Sequence, residues 1–152
     1  MNKKIIAILT LLLVMISMSA VSAFDFGSLF GSNEKTKVNI GGIDFNIPSG
    51  FKEDSSNASK EISSSIQKQG LNTTVKAYTK DSNSLGFFVS NLTAQGFNTT
   101  DVLNNGNQTT INNVAGYISE SDGIYVFSYI KDGCWVIVSS TDKNLYKDCI
   151  IA

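Results

Sequence analysis

The sequence contains no histidine and no arginine; all 12 of its cationic residues are lysine. Without imidazole, a His-dependent triad and a histidine zinc site are excluded. Without guanidinium, the bidentate forks that clamp phosphate or read guanine are missing too. The formal charge of −1 offers no electrostatic footprint for nucleic acid. Proline occurs once, at Pro48, so little of the chain is barred from regular structure. What remains is apolar: hydrophobic residues are 42% and charged residues 16%. That mix folds rather than staying disordered, and 152 residues make one domain.

The longest apolar run stands at the amino end. Lys3 and Lys4 precede Ile5 to Met18, interrupted only by Thr10 and Ser17, and Val21-Ser22-Ala23 follows. A positive start, an apolar middle and small residues at the end are the layout of a secretory signal peptide, residues 1–23, cut after Ala23. The alternative is an uncleaved anchor, since the 20 residues from Ile5 to Phe24 just span a bilayer as a helix. Three serines in the last eight positions of that stretch weaken the anchor. Either way the expected location is secreted or cell-surface. Removing Lys3 and Lys4 leaves 10 lysines against 13 acidic residues, a net charge of −3, which attracts neither DNA nor anionic lipid. Contact with membrane is therefore expected only through the amino-terminal segment, if it is retained. Residues 24–35 read as a linker; Phe24, Phe26, Leu29 and Phe30 would make it a membrane-hugging stub instead.

Residues 36–152 carry the domain. Lys37 to Ile47 alternates around Gly41-Gly42 as a hairpin, ended by Pro48. Asn57 to Gln69 reads as a helix with Ala58, Ile62, Ile66 and Gln69 on one face and Gly70 as its stop. Val75 to Lys80 and Leu85 to Asn91 read as strands across a polar turn. Leu92 to Asn107 offers at most a short helix near Val102 and Leu103. Three strands are then expected, Thr110 to Ser121, Ile124 to Ile130 and Cys134 to Ser140, joined by Asp122-Gly123 and Asp132-Gly133. Asp-Gly between alternating apolar runs signals a two-residue turn with positive φ at both positions. Thr141 or Asp142 caps a closing helix to about Ile150.

Two-residue turns set the register, so the two faces of this meander can be written down. One carries Val114, Gly116, Ile118, Tyr125, Phe127, Tyr129, Cys134, Val136 and Val138. The other carries Ala115, Tyr117, Ile124, Val126, Ser128, Ile130, Trp135 and Ile137. Gly116 falls opposite Tyr129, leaving room for its ring. Both faces are apolar, so both need cover, or one is left as a patch for a partner. Tyr117, Ile130 and Trp135 are the candidate patch.

Cys134 and Cys149 are the only cysteines, and an even count in an exported chain favours a disulfide. It would close a loop of about 15 residues, worth ~3 kcal/mol in the chain-entropy picture. Two buried free thiols are the alternative. A catalytic thiol would need lysine to form its thiolate. Ser-x-x-Lys occurs at Ser32, Ser49, Ser65, Ser128 and Ser140, in unrelated contexts and without the further motifs of serine–lysine enzymes. Glu120 and Asp122 are a possible carboxylate pair, but they stand at a hairpin tip, where acids are ordinarily just solvated. The stretch Asp81 to Gly86 begins like a calcium loop and then puts Leu85 at an oxygen-donor position, so it reads as a turn. No catalytic residue, metal site or cofactor is assigned. N-glycosylation sequons stand at Asn57, Asn72, Asn91, Asn98 and Asn107, five where composition predicts about three.

The run Gly42-Ile43-Asp44-Phe45-Asn46-Ile47-Pro48-Ser49-Gly50-Phe51 resembles the opening of small exported α/β domains. Ile111-Asn112-Asn113-Val114-Ala115-Gly116-Tyr117 and the aromatic strand Val126-Phe127-Ser128-Tyr129 extend the likeness. Together they resemble small secreted proteins of methanogenic archaea and, more distantly, the PsbP/Mog1-like layout. The resemblance implies an antiparallel sheet with helices on its faces, an extracytoplasmic compartment and an accessory or binding role without an active site. The expected fold is therefore α+β: an antiparallel sheet of about five to seven strands with two or three helices, one of them C-terminal. The expected function is a non-catalytic binding or accessory domain whose partner is a protein or envelope component. A small hydrolase using carboxylates or a Ser–Lys pair, and an envelope-anchored structural protein, are the alternatives.

Overall fold

The computed structural model describes residues 34–55, 57–102 and 106–152. The expected signal peptide, Ser32 and nearly all of the linker lie outside them. Strands β1 (Thr36–Ile40) and β2 (Ile43–Ile47) form a hairpin. β3 (Lys52–Glu53) leads into helix α1 (Ala58–Lys68), then β4 (Thr74–Lys80) and β5 (Asn83–Asn91). Two single 3₁₀ turns, Thr93–Gln95 and Thr99–Val102, precede β6 (Asn107–Ile111), β7 (Val114–Ser121), β8 (Ile124–Lys131), β9 (Cys134–Ser140) and helix α2 (Leu145–Cys149). The last seven strands form one sheet in the order β3-β4-β5-β9-β8-β7-β6, and every pairing is antiparallel.

The turns explain the register. Asp122 (φ 52°) with Gly123 (φ 76°) and Asp132 (φ 50°) with Gly133 (φ 73°) take the left-handed conformation that a tight hairpin requires. Gly116 pairs with Tyr129, and the two faces expected for the meander are the two faces observed. The expected strand from Thr110 to Ser121 is corrected. It breaks at Asn112 (φ 49°) and Asn113 (φ 65°) into β6 and β7. Asparagine tolerates left-handed backbone because its short amide bonds locally, so Asn-Asn turns the chain as Asp-Gly does. The domain is accordingly more strand-rich than expected, with α1 of 11 residues and α2 of only 5.

Each sheet face is covered by a different layer. Phe87, Phe127, Tyr129, Val136 and Val138 meet the β1–β2 hairpin and α2 on one side. There Phe45 lies 4.9 Å, ring to ring, from Phe87. Phe88, Val126, Trp135 and Ile137 meet Ile62 and Ile66 of α1, Leu92 and Val102 on the other. Ile66 is buried as expected, whereas Ala58, at the open first turn, is exposed. The closing helix is shorter than expected because residues 141–144 form a turn, in which Asp142 Oδ1 accepts from the Asn144 amide at 2.8 Å. Asn112 Nδ2 donates to the carbonyls of Lys147 (2.9 Å) and Ile150 (3.0 Å), satisfying the end of α2.

Gly116 tests the packing of β7 on β8. A Cβ there would stand 2.5 Å from the Ser128 carbonyl oxygen and 2.7 Å from the edge of the Phe127 ring. Gly116→Val is expected to cost about 1–3 kcal/mol, the usual penalty of overpacking. Urea denaturation reads this as a lower midpoint at unchanged slope, and an unchanged midpoint would contradict the packing.

Candidate functional site

Among the described residues, the helix-side cover is incomplete. α1 packs on β4, and the Thr99–Val102 turn packs on β9. Beyond β8, among the described residues, the same face is open: Gln108, Thr110, Ala115 and Ser119 are exposed, and Tyr117 and Ile130 are half-buried. Tyr117 pairs with Ser128, two residues from Ile130, so the two side chains are diagonal neighbours on one face. This shallow surface of small and polar residues around one ring and one branched chain is the candidate site.

The expected patch of Tyr117, Ile130 and Trp135 is thus corrected in one member. Trp135 is wholly buried. Its Nε1 donates to Ser128 Oγ at 2.8 Å, and its ring meets Phe88 edge-on at 5.2 Å. An indole N–H needs a partner when buried, and Ser128 on the adjacent strand supplies it.

The expected Cys134–Cys149 disulfide is not formed; both are buried free thiols. Cys149 turns back along α2 and donates to the Leu145 carbonyl at 3.4 Å, while Cys134 sits at the start of β9. Burial, aided by Asp148, pushes the Cys149 thiol up to about 12. Burial, with Asp132, raises Cys134 as well. These are the conditions of inert thiols rather than nucleophiles. Burial beside Cys149 also holds Tyr129 well above its usual range, and its hydroxyl has no hydrogen-bond partner among the described residues.

Among the described residues, the Ser-x-x-Lys positions do not converge on a common centre. Ser128 Oγ serves Trp135, and Lys131 Nζ donates to the Ile151 carbonyl at 2.9 Å. Ser140 is fully buried and its Oγ accepts from the Asp142 amide. Ser49 lends its carbonyl to Lys80 Nζ at 3.1 Å, and Ser65 is half-buried on α1. Glu120 and Asp122 are exposed on the β7–β8 hairpin, where Glu120 raises the Tyr125 hydroxyl.

All five sequon asparagines, Asn57, Asn72, Asn91, Asn98 and Asn107, are exposed. Asn72 and Asn91 meet at the end of the sheet beside the Asp132-Gly133 turn, where Gln95 is the hub. Its Oε1 accepts from the Asn72 amide at 2.6 Å. Its Nε2 donates to the carbonyls of Asn72 (3.1 Å) and Asn91 (2.6 Å). Sequence reasoning missed Gln95, because its partner Asn72 lies 23 residues away and no local spacing points to it. Comparison of the chain with protein-family models, curated proteins and solved structures finds no match.

The thiols yield a pH prediction. Folded Cys149 keeps its proton to about 12, whereas the unfolded thiol releases it near 9.0. The unfolded state therefore binds fewer protons between those values, and this contribution to stability, intact below 9.0, is lost as pH rises toward about 12. Native protein at pH 8 should resist iodoacetamide at both cysteines and take two equivalents once denatured. Rapid labelling of the native protein would contradict the burial. Cys149→Ala should flatten the alkaline fall of the denaturation midpoint.

Proposed function

We propose that the protein is an exported, non-catalytic binding or accessory domain of the cell surface, engaging an envelope component through the open outer face of β6, β7 and β8. The observation that carries this reading is the asymmetry of cover. The inner strands are sealed on both sides, while the outer strands leave Tyr117 and Ile130 half-covered among Ala115, Ser119, Gln108 and Thr110. A shallow surface with an aromatic anchor and small polar neighbours suits recognition of another surface. The charged amino end, the apolar run after it and Val21-Ser22-Ala23 support export. The hydroxyls of Ser128 and Ser140, two of the Ser-x-x-Lys serines, serve other partners, which favours binding over hydrolysis at those positions.

Two measurements test the proposal. Protease added to intact cells should degrade the protein without lysis; protection until lysis would overturn export. Purified domain should then co-sediment with isolated cell envelopes from the source cells, and a Tyr117→Ser, Ile130→Ser double variant should lose most of that binding while melting cooperatively. Equal sedimentation of both proteins would remove the outer face from the account.

A further inference from the structure

We infer that Asn98 is an acceptor for N-linked oligosaccharide and that Phe97 is the platform on which the first sugar rests. The inference deepens the proposed function and rests on its export reading, since the sugar donor is met only outside the cytoplasm.

The five sequons differ in what their backbones are doing. Asn57 starts α1: its carbonyl accepts from Glu61 at 2.9 Å, and Ser59 of its sequon lies inside the helix. Asn72 is bound at both its amide and its carbonyl by Gln95, and Thr74 of its sequon opens β4. Asn91 closes β5; Thr93 Oγ1, the hydroxyl of its sequon, donates to the Gly133 carbonyl at 3.4 Å. Asn107 and Thr109 are laddered into β6 against Ile118 and Gly116. A transferase that draws the tripeptide into its groove must first break those backbone bonds. Asn98 stands apart. It is exposed and lies outside any strand or helix, between the two 3₁₀ turns.

Asn98 also has its hydroxyl partner in place. Thr100 Oγ1 donates to Asn98 Oδ1 at 2.9 Å and the Thr100 amide donates to the same oxygen at 3.1 Å. The two donors engage the carboxamide oxygen and fix the side chain through Oδ1. Among the described residues nothing accepts from Nδ2. In the transfer, Nδ2 bonds to the anomeric carbon of a polyprenyl-phosphate-linked oligosaccharide. The bond from that carbon to the phosphate oxygen breaks, the phosphate leaves with the electron pair, and one Nδ2 proton passes to a base of the transferase.

The second observation is the neighbour. Phe97 is 47% exposed and is the exposed large hydrophobic side chain of the described residues. One ring is too small for a protein-docking patch. It does match the apolar C–H face of a pyranose, whose polarised hydrogens lie well on the negative face of an aromatic ring. Phe97 immediately precedes Asn98, so a sugar linked there starts within reach of the ring.

The test expresses the full chain in a host whose export pathway glycosylates asparagine, and maps peptides of the exported protein by mass. Occupancy is expected at Asn98, several-fold above each other sequon. Thr100→Ala should abolish it and Thr100→Ser should retain it. Enzymatic removal of the glycan should lower the melting temperature of the wild type and leave that of Phe97→Ala nearly unchanged. Exported protein that is bare at Asn98, or glycosylated only elsewhere, overturns the inference while leaving export standing. An equal loss in Phe97→Ala overturns the platform. If the chain's own amino end does not export it, a second version carrying the host's signal ahead of Phe24 decides the site: a glycan at Asn98 upholds this inference although the export reading has failed, and a bare Asn98 ends both.

Discussion

β9 is buried at all seven of its positions, and this constrains everything around it. A strand apolar on both faces must lie between two layers, since either face left open would expose a stripe of Trp, Val and Ile to water. β5 and β8 flank it and share its burial. One side is closed by the first hairpin and the last helix, elements from opposite ends of the described chain joined by the Phe45–Ile150 bridge. The other is closed by α1 and the short turns around Leu92 and Val102. Among the polar groups left inside, Ser128 satisfies Trp135 and Ser139 donates to the Gly86 carbonyl at 3.3 Å, while the Tyr129 hydroxyl has no partner among the described residues.

Among the described residues, the cover runs out where the sheet becomes polar. β6 is buried only at Ile111, and β7 shows water Ala115, Ser119, Glu120 and Ser121. One sheet thus combines a sealed centre with a margin that is open among the described residues. The pole near Gln95 is a third region, stitched by side-chain amides and bordered by exposed asparagines. These features explain how a small chain without imidazole, guanidinium or a reactive thiol presents chemically distinct surfaces on one frame.

Much of this was legible in the order of residues. Period-two alternation with Asp-Gly turns placed the register of β7 to β9, because turn chemistry and side-chain period are both local. The helix from Ala58 followed from Ile62 and Ile66, four apart. What was not legible depends on partners distant in the chain. Asn112-Asn113 was passed over because asparagine signals a turn less strongly than Asp-Gly. Trp135 looked available because its cover, Phe88 and the segment around Val102, comes from strands and turns that no periodicity ties to it. The cysteine pair suggested a bridge from its count and compartment, but the direction each thiol takes is set by the α2 backbone and the sheet face. Gln95 left no trace at all.

The claim that a doubly covered central strand organises the molecule is tested most directly by native-state hydrogen exchange. Amides of β5 and β9 should exchange only through global unfolding, with free energies that follow the denaturation stability, while those of β3, β6 and the two 3₁₀ turns exchange through local opening well below it. If β9 exchanges as readily as β6, the sheet is not built around its centre and the account fails.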